Sequence, residues 1–302
     1  MKRLAAIAAV LVVIAAAGTV AWRLLRTPVE ERLMGALPGG QALYVYADAA
    51  GLRDSALFGP RLAELLGRRP AGYQLVARQF EAAAASIGAE TVYVVAASGA
   101  LPEAMLRRSL SDLGADCAQP LDEESCLVEG VAVRRLGGGL VALSNGPEPA
   151  DTSGSVVSLS VRAAEAVHEE NALLWMAIDP GRFSELMRDP PEGWINLSLI
   201  ARALIRAHSA ELTLSEAAGG QVRLRLAAVC GNAEDARELE AMLGDLNGFG
   251  VAALRKAGIA QWPEGLETME VSVEESHTEA AWLLPAEPVL RLLEYTAGEP
   301  VP

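Results

Sequence analysis

Histidine, the commonest ligand and general base, is scarce here: His168, His208 and His277 are the only three, and no two are close in sequence. His168-Glu169-Glu170-Asn171-Ala172 begins like the helical zinc-protease motif but lacks its second histidine. No His/Cys cluster has ligand spacing, which speaks against a zinc site; no metal or cofactor is expected. Glu270, Glu274, Glu275 and His277 form a carboxylate–imidazole cluster that in a cleft would do general acid–base work. Met269, Val271 and Val273 alternate with Glu270, Ser272 and Glu274, so those glutamates belong to the wet face of a strand and are read as structural. Asp48 and Asp179 each end an apolar strand pattern. Paired across a cleft they would suit a glycosidase-like hydrolase. Helix capping explains each more simply, most clearly for Asp179 with Pro180 behind it. Asn196-Leu197-Ser198 fits a glycosylation acceptor, but Asn196 as a helix cap suffices. Gly137-Gly138-Gly139 reads as a hairpin turn, and neither a Gly-Lys-Ser/Thr loop nor a Gly-x-Ser-x-Gly elbow occurs. No catalytic residue is assigned, and the chain is expected not to be an enzyme.

Two other residue sets offer binding or bonding. Cys117 and Cys126 bracket a short polar loop, a spacing that suits a local disulfide in an oxidising compartment. Cys230 ends an apolar strand pattern and reads as a buried small hydrophobe. Trp175, Trp194, Trp262 and Trp282 are spread through the second half. They are candidates to line an apolar ligand groove between two halves, with ordinary core packing as the alternative.

The stretch that places these residues in a compartment is Leu4 to Trp22, which has no charged residue and follows Lys2 and Arg3. As a helix it would reach roughly 28 Å, close to the hydrocarbon thickness of a bilayer. Thr19-Val20-Ala21 is a passable cleavage site, but the run is long for a signal peptide and Trp22 suits the interface. Residues 1–26 are therefore expected to be an uncleaved signal-anchor with the N-terminus cytoplasmic. That places a single-pass protein in a bacterial cell membrane, with its body in the periplasm or outside the cell. The formal net charge is -14, and the first 26 residues hold four cations (Lys2, Arg3, Arg23, Arg26) and no acid, which leaves -18 on the rest. So acidic a body repels phosphate backbones, so nucleic acid is not an expected partner.

Beyond the anchor, strands grouped with helices predict an α+β body of largely antiparallel strands. Expected strands cover 42–47, 91–97, 127–135, 140–144, 156–161, 172–178, 211–215, 222–229, 268–274 and 278–284. Expected helices include 73–86, 233–243 and 249–257, with 196–208 capped by Asn196. Asn145 to Gly154 reads as a linker. It divides the body into 27–154 and 155–302. The halves look alike: 42–51 (ALYVYADAAG) matches 172–181 (ALLWMAIDPG) without a gap, and the segment from Val92 matches that from Val222 at nearly the same offset. Two similar sheet-plus-helices halves, an internal duplication, are the expected architecture. In 222–226, Val222, Leu224 and Leu226 face one way and Arg223 and Arg225 the other. Were this strand beside 269–274, the Arg and Glu rows would pair.

The first sixty residues, with Leu37-Pro38, the strand Ala42 to Ala47, Asp48 and Leu52-Arg53, resemble a class of bacterial signal-anchored exported proteins of unknown function. The segment Val222 to Leu243 is similar to that class too. The resemblance implies a membrane-tethered extracytoplasmic α+β protein and no activity. The expected function is that of an interaction or scaffold protein whose partner is another envelope protein. The alternative is a binding module that holds an apolar or lipid-like small molecule between the halves.

Overall fold

The computed structural model describes residues 28–68, 78–88, 91–98, 102–112, 114–115, 121, 125–128, 131–136, 138–146, 157–188, 195–256, 261–287 and 289–290. The expected anchor, 1–26, lies outside them. No helix among the described residues is long and apolar enough to cross a membrane.

Along the chain, α1 (Val29–Gly35) precedes β1 (Leu43–Ala47), α2 (Ala49–Asp54), α3 (Phe58–Gly67), β2 (Phe80–Ile87), β3 (Val92–Ser98) and α4 (Glu103–Asp112). Three short strands follow, β4 (Cys126–Val128), β5 (Val131–Arg135) and β6 (Leu140–Ser144). Then come α5 (Val157–Glu169), β7 (Ala172–Ile178), α6 (Pro180–Leu186), α7 (Ile195–Leu204), β8 (Ala207–Ala217) and β9 (Gln221–Cys230). The last elements are α8 (Ala233–Lys256), α9 (Gln261–Leu266), β10 (Glu270–Glu274) and β11 (His277–Pro285). All strands join one eleven-stranded sheet in the order β10-β11-β9-β8-β7-β1-β2-β3-β6-β5-β4. Every neighbouring pair is antiparallel. The α+β class is as expected.

The pleat sorts side chains onto two faces. On one face Tyr44 and Tyr46 of β1, Ala82 and Ala84 of β2, Val95 of β3 and Trp175 of β7 are buried with Leu33 and Met34 of α1 and Ala163 and Ala166 of α5. On the other, Leu43, Ile178, Leu226 and Ala280 pack with Phe183 of α6, Leu204 of α7 and Leu239 of α8. At the β4 end, Leu106 and Leu110 of α4 lie against Cys126, Val133 and Val141.

Two expected elements change type. Residues 80–86, expected as helix, are strand β2, hydrogen-bonded to β1 on one side and β3 on the other. Alanine's helix preference is under ~1 kcal/mol per residue, and two ladders at the sheet centre outweigh it. Its small side chain also lets α1 lie close over Ala82 and Ala84. Residues 157–161, expected as strand, open α5. The expected cap Asn196 falls inside α7, which starts at Ile195, and His208 lies in β8. The two helices expected in 233–257 are one, α8, which runs through Gly244 and Gly248. A Cβ at either glycine would meet nothing within 4 Å. Gly244→Ala is therefore expected to raise stability by about 0.5–1 kcal/mol, read as a higher denaturation midpoint.

The expected Arg–Glu pairing forms with a different strand. β11 stands between β9 and β10. Arg225 reaches Glu279 of β11 and Glu170 beside the end of α5, each at 2.7 Å. The Arg225 hydrogen bond holds the Glu279 carboxyl below the usual carboxylate range, against some desolvation. With the folded value depressed, the stabilisation is present above the unfolded value and is lost as pH falls through the folded one. The pair is partly open to solvent, so Glu279→Gln is expected to cost under about 1 kcal/mol at neutral pH. That deficit should vanish on acidification below the carboxylate range, measured as the difference in denaturation midpoints.

Candidate functional site

The candidate site lies at the sheet centre beneath α1 and α5. β1 and β7 are neighbours, and their register sets Tyr46 directly opposite Trp175. Each aromatic carries one donor, and each finds a glutamate. The Tyr46 hydroxyl donates to Glu30 Oε1 at 3.4 Å. The Trp175 indole N–H donates to Glu211 Oε2 at 3.0 Å. α5 supplies a second partner to each acid: Arg162 forms an ion pair with Glu211, and His168 Nε2 lies 3.5 Å from Glu30 Oε1. Burial, then the Glu30 charge, pushes the Tyr46 phenol far above its ordinary value, so it stays a donor. Burial also lowers the Arg162 guanidinium from its usual value.

Glu30 is placed by the period of α1. Glu30, Leu33 and Met34 follow the i, i+3, i+4 spacing of one helix face and are buried, as is Leu37 just past the helix end. Glu30 is only 4% exposed. A carboxylate this buried needs partners. Both of its described partners engage Oε1, one through a long hydrogen bond and the other an imidazole 68% exposed. Tyr46→Phe removes the hydroxyl donor and is expected to cost about 1–3 kcal/mol, measured by chemical denaturation.

Above Glu30, between α1 and α5, runs an open groove of about 390 Å³. Pro28, Glu30, Ser160, Val161, Ala164 and His168 line it, with Glu31, Glu165 and Glu169 around them. The volume is at the lower end of small-molecule sites. Among the described residues no group of three or more His, Cys, Asp or Glu side chains is arranged to hold a metal.

Of the four tryptophans expected as candidates for a groove, Trp175 and Trp282 do not share one. Trp175 is fully buried in the core, with its N–H taken by Glu211. Trp282 faces the other side of the sheet, packed with Leu224 and Leu266, and its N–H donates to Asn247 at 3.2 Å. Alternate positions along paired strands point to opposite faces, and the register puts these two on different ones. Trp194 lies outside the described residues, and Trp262 is in α9 with its side chain outside them.

Asp48 and Asp179 cap α2 and α6, accepting from Gly51 N and Arg182 N. Antiparallel pairing of β1 with β7 puts them at opposite ends of the pair, on the order of 17 Å or more apart at ~3.4 Å per residue. They cannot act together on one bond. Glu270, Glu274 and His277 are exposed on the β10–β11 hairpin, as expected from their alternation. Cys126 is buried in β4, whereas Cys117 lies outside the described residues. Cys230 is free and buried, and burial raises its thiol above the ordinary value.

No protein-family model matches the chain, and no curated protein matches it. Among solved structures it is similar to crystal form I of TP0453, with a TM-score of 0.50 and 12% identity over 87% of this chain and 96% of that one. At that identity the likeness is one of fold alone: this chain and TP0453 share an overall arrangement of strands and helices.

Proposed function

We propose that this protein is a noncatalytic binding module, held at a bacterial membrane by residues 1–26 with its body outside the cytoplasm, that takes a small ligand between its two halves. The observation that carries the reading is the groove between α1 and α5 with the buried Glu30 among its lining residues. α1 belongs to the half 27–154 and α5 to the half 155–302. Support for the halves as a duplication comes from strand order. Outward from the β1–β7 pair the sheet reads 2-3-6-5 on one side and 8-9-11-10 on the other, with β4 added at the first edge. α1 before β1 then corresponds to α5 before β7, and the groove lies where the equivalent helices meet. Native mass spectrometry of the full-length protein from its own host is expected to reveal a co-purifying small molecule. Val161→Trp, which fills the groove, should abolish it; co-purification unchanged in that variant overturns the reading.

A second reading, a scaffold for another envelope protein, is favoured by one observation. Glu211, Ser215, Arg223, Arg225 and Glu279 share a sheet face on β8, β9 and β11, opposite the face packed by α6, α7 and α8. Mild crosslinking and pull-down would compare the full chain with a version starting at Thr27, and this reading expects a reproducible protein partner that is lost with the anchor.

The Cys117–Cys126 disulfide belongs to the same proposal, because export would permit it. Cys126 is buried beneath α4, and the third cysteine, Cys230, is free. The unreduced, denatured protein is expected to accept alkylation at Cys230 alone, and at all three cysteines after reduction. The closed loop would contribute ~2–3 kcal/mol in the chain-entropy model.

A further inference from the structure

We infer that the α1–α5 groove selects a cation: a primary ammonium on a compact apolar body. The inference rests on the binding-module reading and adds the class of ligand to it. Glu30 lines the groove and is nine-tenths buried or more, and Tyr46 and His168 both engage its Oε1. Neither contact engages Oε2. A buried carboxylate with one long hydroxyl hydrogen bond has lost most of its hydration without full replacement. An ammonium brings three donors and a full charge, and charge-assisted hydrogen bonds are the strong ones. Neutral or anionic head groups cannot supply both. The rim is acidic: Glu31, Glu165 and Glu169 line the groove beside His168, and among the described residues no lysine or arginine does. Pro28, Val161 and Ala164 give the walls an apolar surface for the ligand's body. The volume of about 390 Å³ suits a ring or short branched chain better than a long acyl tail.

The test is calorimetric titration of the full-length protein in lipid nanodiscs, with empty nanodiscs as the blank. Three probes of one shape are used: cyclohexylmethylammonium, cyclohexylmethanol and cyclohexanecarboxylate. The ammonium is expected to bind saturably, at least about tenfold tighter than the alcohol, with no measurable carboxylate binding. Glu30→Gln should remove about tenfold of the ammonium affinity. Should Glu30→Gln fail to fold, the double variant Glu165→Gln/Glu169→Gln, on the rim, should still weaken the ammonium by roughly threefold and relieve exclusion of the carboxylate. Equal binding of ammonium and alcohol overturns this inference while leaving a ligand groove standing. Binding of none of the three also overturns it, and the co-purification experiment then judges the wider reading by itself. Ammonium binding indifferent to both sets of variants places the site elsewhere and overturns it too.

Discussion

Trp175→Ala is expected to cost about 3–5 kcal/mol, the range for a large buried aromatic. Trp175 is fully buried in the middle of the sheet, under α5 and beside Tyr46. Truncation leaves a void that close-packed neighbours fill only in part. It also strips Glu211 Oε2 of its indole donor. Domains of this kind are stable by only about 5–15 kcal/mol, so the variant should lose a large share of the total and unfold at much lower denaturant. Trp175→Phe separates the two effects. It keeps most of the ring but not the N–H, and should cost about 1–3 kcal/mol. If denaturation shows the alanine variant within ~1 kcal/mol of the parent, the central role given to this residue is wrong.

Gly139→Ala should cost about 2–4 kcal/mol, and Gly138→Ala only about 1 kcal/mol, although the two are neighbours in the same turn. Both have positive φ, +60° at Gly138 and +79° at Gly139, which penalises any side chain. Their surroundings differ. A Cβ on Gly138 meets nothing within 4 Å, whereas one on Gly139 would lie 2.4 Å from the Ser98 carbonyl oxygen. Backbone cannot swing aside as a flexible side chain can. The shift would also disturb the hydrogen bond from Ser98 N–H to the Gly139 carbonyl, now 2.9 Å. Paired denaturation curves measure the difference, and equal losses would show that the conformational penalty alone governs this turn.

The sequence by itself determined the α+β class and most strand positions, because period-two alternation survives wherever one face is wet. β9 and β10 are the clearest cases. It also identified Asp48 and Asp179 as caps, since an N-cap is satisfied within three residues of itself. Glu30 was readable in principle: it is a carboxylate on the apolar stripe Leu33, Met34, Leu37. Other features were decided only by the tertiary structure. β2 is a strand because β1 and β3 bind its edges, and an alanine run has no pattern to announce that. Whether Arg225 meets β10 or β11 depended on strand order, which alternation does not encode. Trp175 and Trp282 were separated by register, since one residue's shift along a strand exchanges faces. The groove exists because β1 and β7, far apart in the chain, pair at the sheet centre and bring α1 against α5. Contacts between residues so distant in the chain leave no local trace in composition or period.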